Sequence, residues 1–80
     1  MTLDPEILDF YDVEVIRRIM EKYGYDEKTA AVKFFESQTY RMLVNPDMGM
    51  CRFGPDGIFD VWENELITGR PQTSQYIKAG

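Results

Sequence analysis

Apolar side chains recur at spacings of three and four in three stretches of this chain, and each stretch carries its own start and stop signals. In the first, Leu8, Tyr11, Val15, Ile19 and Tyr23 form one stripe, widened by Ile16 and Met20. Asp9, Arg17, Arg18, Glu21 and Lys22 fall largely off it. Asp4 suits the N-cap, Pro5 the first helical position and Gly24 the stop, which predicts a helix over about 5–23. Glu14 and Arg18 stand in the favoured i,i+4 order. The β-branched residues Val13, Val15 and Ile16 weaken intrinsic propensity enough to admit a break near Asp12.

A second stripe, Ala31, Phe34, Phe35, Gln38, Met42 and Leu43, predicts a helix over about 27–43. Asp26 caps it, and Asn45-Pro46 stops it because the residue before proline avoids the helical region. A third, built on Ile58, Phe59, Trp62 and Leu66 with Val61 and Ile67 beside them, predicts a helix over about 55–68, closed by Gly69. Met50–Phe53 is too short for a helix and reads as a short strand, whose obvious partner is Tyr76-Ile77-Lys78. The expected fold is all-α: three main helices in a compact orthogonal or bundle arrangement, with room for one minor two-stranded β pairing. Residues 1–71 form a single helical domain and 72–80 a polar C-terminal tail. The expected core is Leu8, Val15, Ile16, Ile19, Met20, Ala31, Phe34, Phe35, Leu43, Ile58, Phe59, Trp62 and Leu66.

Length changes the picture by making stability a problem. A domain of 80 residues buries only ~60% of the surface of its unfolded chain. Cys51 is the single cysteine and histidine is absent, so neither an intramolecular disulfide nor a structural zinc site is available. Dense aromatic packing and association remain, and five Phe, five Tyr and one Trp suit both. No apolar run reaches the ~18 residues of a membrane helix, and no basic, then apolar, leader is visible. With one thiol, that reads as a cytoplasmic protein with no membrane partner.

The net charge of −5 is concentrated. Residues 1–14 hold Asp4, Glu6, Asp9, Asp12 and Glu14 and no basic side chain, whereas the remainder is balanced. Acid there favours a helix dipole, and it disfavours a general nucleic-acid binder, which needs a net basic face.

Candidate chemistry is sparse. Arg52 beside Cys51 would favour a thiolate, yet no Cys-His pair can be assembled without histidine. Asp56, Asp60 and Glu63 share one helix face without a matching ligand helix, which reads as a solvated face. The glycines fit no phosphate-binding fingerprint. No catalytic residue, cofactor or metal is therefore expected. The outline helix–turn–helix across Tyr23–Tyr25 carries Lys28 and Lys33, but Asp26 and Glu27 open the would-be recognition helix. A DNA-binding accessory protein is thus the second reading and a small enzyme the third. Eleven aromatic residues exceed what three short helices bury, and Phe10, Tyr25 and Tyr40 fall off the main stripes. They are the candidate interaction residues.

One resemblance bears on this. Ile19-Met20-Glu21-Lys22-Tyr23-Gly24, Ala30-Ala31, Phe34-Phe35, Ser37-Gln38-Thr39-Tyr40 with Leu43, Phe53-Gly54-Pro55, Ile58-Phe59-Asp60-Val61-Trp62-Glu63 and Thr68-Gly69 resemble small helical bacterial proteins of unknown function. Proteins of this firmicute type often stand beside toxin-like genes, so the resemblance, over about 15–71, implies an antitoxin-like or accessory role. The combined expectation is a non-enzymatic protein–protein interaction module, acting on a protein partner or on a second copy of itself.

Overall fold

Helix signals in the chain become four α-helices in the computed structural model, which describes residues 5–71 together with Ser74 and Ile77. Helix α1 spans Pro5–Tyr23, α2 Glu27–Phe35, α3 Gln38–Val44 and α4 Gly54–Thr68, with short 3-10 turns at Pro46–Met48 and Met50–Phe53. Helix α1 runs unbroken through Asp12, because its β-branched residues lie on a helix held by packing against both α2 and α4. Its end is set by Gly24, at φ 72°, whose N–H returns to the Met20 carbonyl at 2.9 Å. Asp26 caps α2 as expected, accepting from the Thr29 N–H at 2.7 Å.

The single second helix of the sequence reading is two helices. Ser37 breaks it: its hydroxyl donates to the Phe34 carbonyl at 2.5 Å and accepts from the Tyr40 N–H at 3.1 Å. Glu65 of α4 completes the new N-terminus from outside. Its carboxylate accepts from the N–H of Gln38 at 2.9 Å, the N–H of Thr39 at 2.8 Å and the Thr39 hydroxyl at 2.7 Å. A negative group on free N–H donors at a helix start offsets the backbone bonds that the break removes.

The second correction concerns the expected strand. Met50–Phe53 is a 3-10 turn, and no strand occurs among the described residues. Of the expected partner strand, Tyr76 and Lys78 lie outside the described residues, and Ile77 is helical and packs against the core. The Tyr11 hydroxyl donates to the Cys51 carbonyl, so a tertiary bond to α1 holds the turn that the strand was expected to occupy.

The core is Tyr11, Val15, Ile19, Ala30, Phe34, Leu43, Met50, Ile58, Val61 and Trp62. Six of these belong to the expected core; Leu8, Ile16, Met20 and Phe59 are partly buried against it. Phe35 and Leu66 are exposed at 43% and 47%. Once α2 stops at Phe35, Ala30 and Phe34, one turn apart, are enough to fill its inward stripe, and Phe35 is left on the flank. Trp62 packs edge-on to Tyr23 at 5.8 Å and stacks on Phe59 at 6.2 Å. The radius of gyration, 11.6 Å, is about that of a compact domain of this length.

Polar ties close the α1–α4 seam. Arg18 meets Asp56 at 2.8 Å, and Glu63 accepts from the Tyr23 hydroxyl at 2.6 Å and pairs with Lys22 at 2.5 Å. Asp60 accepts from the Ser74 hydroxyl at 2.6 Å. Asp60 and Glu63 are thus used for tertiary contacts, whereas Asp56 remains on the solvated face that the sequence predicts.

Candidate interaction groove

Asp12 sits where the α1 stripe should be apolar. It lies one turn after Leu8 and one turn before Ile16, and this places its carboxyl toward α2 and α3. The residue is half-buried, while its Oδ1 is fully buried and has no hydrogen-bond partner, the one such side-chain atom among the described residues. Burial, and secondly the charge of Asp9, push this carboxyl up to about 6. Burial raises the Tyr40 phenol as well, with the charges of Asp12 and then Asp9 adding to it, so the two acids of α1 face the α3 tyrosine.

Around Asp12 the surface forms a groove of about 540 Å³ between α1 and α2. Val13, Ile16 and Met20 form its α1 wall, Ala31 and Phe35 its α2 wall, and Arg17 and Glu27 its polar margin. Phe35 is held edge-on to Tyr40 at 5.0 Å and tilted against Phe34 at 5.9 Å, so the aromatic wall is supported from the α3 side. Val13 is 63% exposed, and Phe10 and Ile7, one and two turns earlier on the ridge that winds from Val13 away from the groove, are exposed as well. Arg17 is committed elsewhere, holding Glu14 through two contacts of 2.5 and 2.7 Å. The groove can therefore bury apolar surface, with the Asp12 carboxyl on its lining.

Of the three interaction residues read from the sequence, Phe10 is 54% exposed one turn before Val13, and Tyr40 is half-buried behind Phe35. Tyr25 does not join them. It stacks on Tyr23 at 6.0 Å at the far end of α1, roughly 20 Å from Phe10 by helix rise, with the Lys33 ammonium 5.1 Å from its ring centre. Asp12, Val13 and Phe35 were missed as site residues. The signal for Asp12 was an acid at i+4 from Leu8 and i−4 from Ile16, an interruption of an otherwise apolar stripe.

Elsewhere, Cys51 is exposed and free. No group of three or more metal-ligating side chains occurs among the described residues, and no helix among them is long and apolar enough to cross a membrane. Comparison with protein family models, with curated proteins and with solved structures finds no match to this chain.

Proposed function

We propose that this protein is a non-enzymatic protein–protein interaction module and that the α1–α2 groove is its docking surface. The observation that carries this reading is the apolar lining of the groove, Val13, Ile16, Met20, Ala31 and Phe35, of which Val13 and Phe35 are exposed. A contiguous apolar surface of this kind on a small domain marks an interaction site. The resemblance to small bacterial helical proteins gives the role an antitoxin-like or accessory form. A DNA-binding role has less support, because Asp26 and Glu27 occupy the start of α2 where a recognition helix would meet the duplex.

Capture of partners from the host cell tests the reading, with Val13→Asp and Phe35→Asp as groove variants and Ile67→Asp as the control. Ile67 is 76% exposed on α4, away from the groove. A partner kept by the wild type and the control and lost by both groove variants is expected. A partner that both groove variants retain would overturn the reading.

A further inference from the structure

The groove has a sign as well as a shape. We propose that its occupant is a basic amphipathic helix from a partner protein, which lays an apolar stripe between Val13, Ile16 and Phe35 and sets one Lys or Arg side chain against the Asp12 carboxyl where it lines the groove. This rests on the interaction reading above and adds the chemistry of the partner.

Charge complementarity selects the occupant. A charge-assisted bond to a carboxylate is stronger than a neutral one, so a cation is the favoured match for the Asp12 carboxyl. The protein's own groups do not supply it. From α1, Asp9 adds a like charge and Arg17 is held by Glu14; from α2 the margin offers Glu27, an acid; from α3 Tyr40 faces the site. Glu6, Asp9, Asp12 and Glu14 give the first half of α1 no basic side chain before Arg17. A second copy docked through the same face would set these acids against themselves, because an isologous interface brings each patch onto its own twin. A cationic helix in the groove meets Asp12 and Glu27 favourably, with Asp9 close by. The walls suit a helix as well, since Asp12 to Met20 spans roughly 12 Å, or about two helical turns of ligand.

A displayed library of random peptides about 14 residues long, roughly 20 Å as a helix, selected against the full chain, supplies the probe. Enriched peptides are expected to carry apolar residues at i, i+3 or i+4, and i+7, a net positive charge, and one critical Lys or Arg. Their titration should move the amide resonances of Val13, Ile16 and Phe35. Asp12→Asn should weaken binding about tenfold, replacing the critical cation of the peptide by Met should do the same, and the two losses should not add. Because the cation is removed on the peptide, that arm stands even if the protein variant folds poorly. Groove-bound peptides of neutral or acidic character, or affinity unchanged by Asp12→Asn, would overturn this inference and leave the interaction reading standing. Resonances of the same residues that shift on dilution, with a doubled mass, would overturn it in favour of a second copy. If no peptide moves the groove resonances, both readings fall.

Discussion

Asp12 is the residue whose environment most departs from what its chemistry prefers. A carboxyl raised from an ordinary 3.8 to about 6 on folding holds its proton more tightly in the folded state than in the unfolded one. The stability it contributes is therefore greatest below about pH 4, falls as pH rises toward 6, and is gone above that. A shift of two units corresponds to ~3 kcal/mol in full, but Asp12 is half-buried and solvent screening reduces this to on the order of 1 kcal/mol. Asp12→Asn should accordingly stabilise the protein by about 1 kcal/mol at pH 7, with the gain vanishing near pH 4. Urea denaturation at the two pH values measures this, and an equal gain at both would show that the carboxyl is not strained.

The element that depends most on a distant residue is α3. Seven residues are too few for a helix to hold itself, and its first turn is completed by Glu65, 26 and 27 residues away in sequence. Thr39 is fully buried, so removing its acceptor leaves a hydroxyl donor and an N–H unpaired away from water. Glu65→Ala is expected to cost about 2 kcal/mol, within the ~1–3 kcal/mol typical of an unsatisfied buried group. Hydrogen exchange should accelerate first at Gln38 and Thr39. If the loss is under about 0.5 kcal/mol, in the range of an exposed surface change, the carboxylate is not holding the α2–α3 corner. The other helix ends were legible locally, Gly24 and Gly69 because both stops require positive φ, at 72° and 78°. Asn45-Pro46 was legible by the same local logic, and the Ser37 break was not. A serine within an apolar-periodic run fits a continuous helix as well as a cap, and only the carboxylate from α4 decides between them.

At the scale of the molecule, the concentration of acid on α1 sets how copies of the chain treat one another. Val13 and Phe35 are exposed on the groove beside Asp12, with Asp9 close by. Like charges across a self-complementary contact oppose its formation. The isolated protein is expected to be monomeric at neutral pH by light scattering at micromolar concentration. Lowering the pH through about 6, where the Asp12 carboxyl takes up its proton, should raise the measured mass. A stable dimer at neutral pH would mean that the apolar surface outweighs the repulsion.

Sequence alone determined what depends on neighbours along the chain: the all-α class, the stop of α1, the start and stop of α4, the Asp26 cap, the inward placement of Val15, Ile19, Phe34, Ile58 and Trp62, and the acidic end; the expected Asp4 cap of α1 lies outside the described residues. Each follows from a period of 3.6, a capping preference or a local backbone requirement, interactions that act within one or two turns. Tertiary structure alone decided where the second helix breaks, that Met50–Phe53 turns instead of pairing, that Phe35 faces out, and that Asp12 is held in a groove without a donor. Those outcomes depend on groups far apart in sequence, Glu65 on Thr39, Cys51 on Tyr11, Tyr40 against Asp12, and a contact between distant residues leaves no periodic trace in the chain that makes it.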